Sequence, residues 1–250
     1  MIRTESSINS DVLSMNDKKN IKQEDRVIIF NGESSVYTLI ADFYLSGIEP
    51  KGDYRGITRA LSTTKDQTGL QAWRERVGEE EAERILAESQ QIGTSLDKIL
   101  LNCFLPNFDQ DEWKDEVGYF LFKRLKPYLK KINPIALQLK LWSDHLKLIG
   151  YLDCIGYYDG KLTLIDFKNS RSMKSEEHLE DYFLQCTLYC MMIYELTGIK
   201  VENIMLLIAV RNSSFPQIVK RETKNYVKEA ISRVTAYHKL YPNDKRNING

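Results

Sequence analysis

The stretch Gly150-Tyr151-Leu152-Asp153-Cys154-Ile155-Gly156-Tyr157-Tyr158, then Asp159-Gly160, then Lys161-Leu162-Thr163-Leu164-Ile165-Asp166-Phe167-Lys168, decides the fold. Asp-Gly between two β-rich runs signals a tight hairpin, because a type I′ turn needs positive φ at both central residues. Pairing Tyr158 with Lys161 and counting outward sets Asp153 across from Asp166. They fall on a non-hydrogen-bonded pair, with Cβ atoms about 5 Å apart. Like charges that close destabilise a sheet unless something positive sits between them. Alternation puts Leu162, Leu164, Asp166 and Lys168 on one face and Thr163, Ile165 and Phe167 on the other. Two carboxylates and an ammonium on one sheet face point to a divalent-metal site for phosphate-ester chemistry.

Outward from the hairpin, Ile135–Ser143 reads as a preceding strand and Glu176–Leu196 as a following helix closed by Gly198. Asn203–Val210 is almost purely aliphatic, as expected of a strand buried on both faces of a mixed sheet and reached by a crossover beside the hairpin. Thr223–Leu240 reads as a final helix. Upstream, Val27–Phe30 and Val36–Phe43 are β-rich and split by a polar turn, which predicts an N-terminal hairpin. Gly69–Val77 is a short helix. Gly78–Cys103 is a longer one, with acids in its first turn and an interruption expected at Gly93. Asp111–Lys131 reads as a further amphipathic helix. Residues 1–24 are polar and aperiodic and are expected to be disordered. The expected fold class is α/β (α+β), a mixed central sheet flanked by helices. It divides into a tail (1–24), an N-terminal hairpin and helical region packed on the core (25–134) and the core itself (135–250).

The 250 residues are 42% hydrophobic and 28% charged, ordinary for a globular chain. Formal net charge is zero, so any surface for a polyanion must be local. No run approaches the roughly 20 apolar residues of a membrane span, and the N-terminus lacks the apolar core of a signal peptide. An intracellular location with no membrane partner is expected. Cys103, Cys154, Cys186 and Cys190 form no CxxC pair and read as free thiols. No Gly-rich loop of Walker type is present, and none of His145, His178 and His238 sits in a nucleophile motif.

Gly150-x-x-Asp153, Asp166-x-Lys168 and Gln185-x-x-x-Tyr189, in that order, resemble the PD-(D/E)xK nuclease superfamily, and more narrowly its RecB-like exonuclease branch. Gly56-Ile57-Thr58-Arg59-Ala60-Leu61-Ser62, Trp73-Arg74-Glu75-Arg76-Val77-Gly78 and Gly93-Thr94-Ser95-Leu96-Asp97 are similar to N-terminal motifs of the mitochondrial-genome-maintenance exonuclease group and its phage relatives. The resemblance spans about residues 54 to 241. Asp97 stands where that group usually has histidine, and Gln138 where the preceding strand often has glutamate.

The resemblance implies a restriction-endonuclease-like core and an enzyme that hydrolyses DNA phosphodiesters with Mg²⁺ or Mn²⁺. Asp153 and Asp166 would hold the metal, helped by a backbone carbonyl near Phe167 and by Asp97. Lys168 would orient or deprotonate the attacking water, its ammonium disfavoured by the metal. Gln185 would steady the site, and Tyr189 would donate to a DNA phosphate. Arg59, Lys65, Arg74, Arg76, Arg171 and Lys174 are candidate DNA contacts, and Trp73 or Tyr54 could stack on an unpaired base. The implied partner is DNA, single-stranded or with free ends, in replication, recombination or repair. Two alternatives stay open: a catalytically silent nucleic-acid-binding domain on the same fold, and a restriction-type endonuclease.

Overall fold

A computed structural model describes residues 27–242, so the tail read as disordered lies outside the described residues. The elements are β1 (Ile28–Ile29), α1 (Ser35–Leu45), β2 (Arg55–Gly56), α2 (Ile57–Thr63), α3 (Thr68–Val77), α4 (Glu79–Cys103), α5 (Tyr119–Leu129), β3 (Ile132–Ser143), β4 (Leu148–Tyr158), β5 (Lys161–Ser170), α6 (Glu176–Thr197), β6 (Asn203–Val210), β7 (Gln217–Glu222) and α7 (Val227–Leu240). Short 3-10 turns cover Gln110–Trp113 and Thr223–Asn225.

The strands make one mixed sheet in the order β1-β3-β4-β5-β6-β7, with β2 added beside β4. The hairpin has the register expected from its turn, Tyr158 opposite Lys161, and Asp159 and Gly160 take φ of 50° and 75°. β5 and β6 are parallel and adjacent, joined through α6. The aliphatic run of β6 is explained by its two neighbours. Ile204, Leu206, Ile208 and Val210 pack with α1, α2, α6 and α7, whereas Met205, Leu207 and Ala209 pack with α4 and α5. The sheet is therefore covered on both faces, the arrangement that makes an alternating pattern vanish.

Three expectations are corrected, and one strand is added. Val36–Phe43 belongs to a helix, α1, so no N-terminal hairpin forms. Val36, Ile40 and Phe43 are β-prone, yet their spacing is helical and all three face the core. β1 pairs with β3 instead. The helix expected over Asp111–Lys131 is only α5, because Gly118 sits where the chain crosses α4. A Cβ there would lie 2.4 Å from the Leu96 backbone nitrogen. α4 runs unbroken through Gly93, whose missing side chain makes room for Asn169 at the end of β5. β7 was not anticipated: Gln217–Glu222 is a polar edge strand, and edge strands carry little hydrophobic signal.

Candidate active site

The two hairpin strands part where the acids stand. The β4–β5 ladder runs from Tyr158↔Lys161 to Cys154↔Ile165 and ends there. One edge of β4 is taken throughout by β3, and on the other edge β2 pairs in parallel with Leu148 and Ile149. β2 and β5 thus share one edge of β4 and leave a fork between them. At the fork the Asp153 carboxylate substitutes for a ladder acceptor: its Oδ2 receives the Phe167 backbone N–H at 2.9 Å. The expectation that Asp153 meets Asp166 across a regular pair is corrected accordingly.

The opposing strand is distorted at the same level. Leu137↔Cys154 and Leu139↔Leu152 are paired, and Gln138 between them takes φ of 52°. Leu137 and Cys154 face the α4/α5 side, whereas Leu139 and Leu152 face the α6/α7 side. Each strand swaps faces at one residue, and those residues are Gln138 and Asp153. A left-handed glutamine costs about 1 kcal/mol or more and persists only where its surroundings hold it.

Asp166 is 3% exposed. Its Oδ1 accepts from Lys168 Nζ at 2.7 Å, and its Oδ2 is buried without a hydrogen-bond partner. Burial, reinforced by the Asp153 charge, pushes this carboxyl well above the ordinary carboxylate range against the downward pull of the Lys168 charge. Burial works against the Lys168 ammonium, but Asp166 and Asp153 outweigh that and hold it above the ordinary lysine range. The two carboxylates thus favour the ammonium form of Lys168 in the fork.

Helix α6 presents a stripe to this fork. Tyr182 lies under the Lys168 ammonium, ring centroid 5.4 Å from Nζ, and under that of Lys174 at 5.7 Å. Gln185 Nε2 donates to Tyr189 Oη at 3.4 Å and to Thr58 Oγ1 of α2 at 3.5 Å. Tyr189 is buried, and burial with the nearby Asp153 charge holds its phenol well above its usual range. Its hydroxyl occupies the space above Gly150, where a Cβ would lie 2.9 Å from Oη. Gly150, Asp153, Asp166, Lys168, Gln185 and Tyr189 are thus gathered at one end of the sheet. Tyr182 was missed by the sequence reading, although Tyr182, Gln185 and Tyr189 at i, i+3 and i+7 lie on one helix face.

Asp97 of α4 lines a narrow cleft with Gln138, Asp153 and Phe167. Among the described residues no cluster of three or more His, Cys, Asp or Glu side chains forms a ready cage. The side chains nevertheless suit a hard divalent cation. They are carboxylates, and one buried carboxylate oxygen has no donor. A buried carboxylate oxygen without a donor is costly unless a cation or proton meets it.

The basic candidates are spread out. Lys65 is tied to Asp181 at 2.5 Å and Arg74 to Glu79. Arg74 and Arg76 occupy the last turn of α3, where cations complement the carbonyl end of a helix. Trp73 is half-buried on the same helix, and Arg59 is exposed on α2. Arg171 is exposed just after β5, and Lys174 is half-buried and held over Tyr182. Tyr54 cannot stack on a base: it is 1% exposed, and its hydroxyl donates to Asp144 at 2.5 Å. The cysteines are free, as expected.

A family model described as the PD-(D/E)XK nuclease superfamily matches residues 49–241. No curated protein matches the chain. Among solved structures, one titled "Crystal structure of SSO0001" aligns over 87% of this chain and 91% of its own, at 15% identity and a TM-score of 0.36. Scheffersomyces stipitis Rai1 in complex with (3′-NADP)+ and a calcium ion aligns over 93% of this chain and 70% of its own, at 12% identity and a TM-score of 0.31. Likenesses that slight carry no argument about fold or chemistry.

Proposed function

This chain belongs to the PD-(D/E)XK nuclease superfamily, and from that membership we propose that it is a divalent-metal-dependent deoxyribonuclease acting at DNA ends or on single strands. The observation that most supports the reading is the fork: a buried Asp166 oxygen with no donor, near Asp153, where the β4–β5 ladder ends. Asp153 and Asp166 would hold the cation, with the Phe167 carbonyl as a third oxygen; Asp97 lines the cleft on the α4 side and does not gather with both of them into one cage. When bound, the cation neutralises phosphate charge and acts as a Lewis acid toward water.

The side chains divide the remaining work. Lys168, held charged by Asp166 and steered by Tyr182, orients the attacking water and stabilises developing negative charge. Gln185 fixes Tyr189, and Thr58 fixes Gln185, so the Tyr189 hydroxyl is held beside Gly150 to donate to a phosphate oxygen. Ends and single strands are favoured over duplex interiors on the resemblance of the motifs to exonucleases.

Labelled linear single strands, linear duplex and closed circular DNA incubated with Mg²⁺ or Mn²⁺ separate the readings. The proposal expects loss of the linear substrates, survival of closed circles, and no turnover in EDTA. Cleavage of closed circles would favour an endonuclease instead. Binding without hydrolysis in either metal would favour a silent nucleic-acid-binding domain.

A further inference from the structure

We propose that the pocket between α5 and the β6–β7 loop is a stacking site for an unpaired nucleobase of the substrate strand; this rests on the nuclease reading. The pocket has a volume of about 450 Å³, within the roughly 300–1,000 Å³ of small-molecule sites. It is lined by Phe120, Lys123, Arg124, Tyr128, Phe215 and Pro216 among others, and no carboxylate lines it. Phe215 is 70% exposed and Phe120 is 38% exposed, so both rings offer surface to a ligand. The Arg124 guanidinium lies 5.4 Å from the Phe120 ring centroid, forming a cation–aromatic platform.

The pocket is also preset and well placed. The Phe215 amide donates to Ser213 Oγ at 3.1 Å, and Pro216 is buried, so the loop that carries the ring is fixed. Arg124 donates to the Val210 and Arg211 carbonyls at 2.6 and 2.9 Å, which anchors the pocket to the end of β6. Val210 pairs with Ser170 of β5, four residues past Asp166, or about 13 Å along the strand. A strand cut at the fork could therefore round the ends of β5 and β6 to the α5 side of the sheet and place a base in the pocket. Aromatic rings with flanking cations are the chemistry that holds single strands regardless of sequence. A paired base inside a duplex could not enter, which gives the enzyme a physical basis for preferring unpaired nucleotides.

The test is fluorescence anisotropy of the full chain in EDTA with a short thymidine oligonucleotide, an abasic strand of equal length, and a duplex. Phe215→Ala should weaken thymidine binding roughly 5- to 100-fold and leave the abasic strand and duplex unchanged. Phe215→Trp should retain the thymidine affinity. Equal losses on thymidine and abasic strands, or no loss on any, would overturn the proposal; the latter would point to a protein partner for the pocket. Metal-dependent hydrolysis, assayed separately on the same variants, keeps the two readings apart. Base-selective binding without hydrolysis refutes only the nuclease reading, and hydrolysis without base selectivity refutes only the pocket.

Discussion

Tyr182 illustrates how much of the site depends on single contacts. Its ring and Asp166 hold the Lys168 ammonium from two sides, which makes it a positioning residue. A cation–aromatic contact of about 0.5–1 kcal/mol corresponds to roughly two- to fivefold in rate. Tyr182→Ala should lower single-turnover cleavage by about that factor with substrate affinity unchanged, and Tyr182→Phe should restore it. If the two variants behave alike, the ring does not act on Lys168. Gly150 is the second case. Gly150→Ala drives a methyl into Tyr189 Oη and Cε1, at 2.9 and 3.0 Å. Denaturant unfolding should show a loss of about 1–3 kcal/mol, together with a fall in cleavage. Lys168, Asp166 and Tyr189 were legible as candidates because their spacing is local. The Lys168–Asp166 contact and the ring of Tyr182 beside it were not, since only the folded fork brings them together.

At the level of elements, the β3–β4 turn hangs on one carboxylate of α6. Glu195 accepts from Ser143 Oγ at 2.5 Å and the Asp144 amide at 2.8 Å, and its Oε1 lies 3.0 Å from His145 Nδ1. Burial alone would raise its carboxyl, but the bonds from Ser143, His145 and the two amides win and hold it below the ordinary range. A depressed folded value means the contribution is present above about 4.5, the ordinary glutamate value, and is lost as pH falls through the folded one. Wild type should exceed Glu195→Gln in thermal stability at neutral pH, with the gap closing on acidification. A gap independent of pH would contradict this. The crossing of α4 and α5 is the other weak point. Gly118 touches the Leu96 backbone and donates to Ser95 Oγ, so Gly118→Ala should cost about 3 kcal/mol. The hairpin, α4, α6 and β6 were readable because turn chemistry, caps and periodicity all agree in them. α1 was not, because its β-prone residues conceal helical spacing. The fork was invisible in sequence because it arises from β2, nearly a hundred residues away, taking part of one edge of β4.

For the whole molecule, zero net charge limits how nucleic acid can be held. Several cations are already spent on Asp181, Glu79 and Glu88. With three or four phosphates neutralised, the slope of log affinity against log salt on single strands should be about −2 to −3. A slope near −6 would mean a basic surface larger than the one described. Both faces of the sheet are covered, and no helix among the described residues is long and apolar enough to cross a membrane. The central claim is that the Asp153 and Asp166 carboxylates bind a divalent cation, and melting temperature with and without Mn²⁺ in EDTA-stripped protein tests it most directly. At a hundredfold excess over the dissociation constant, wild type should gain about 2.7 kcal/mol, a rise of roughly 5–10 °C, and neither Asp153→Asn nor Asp166→Asn should respond. An equal rise in both variants, or none in wild type, would contradict the account.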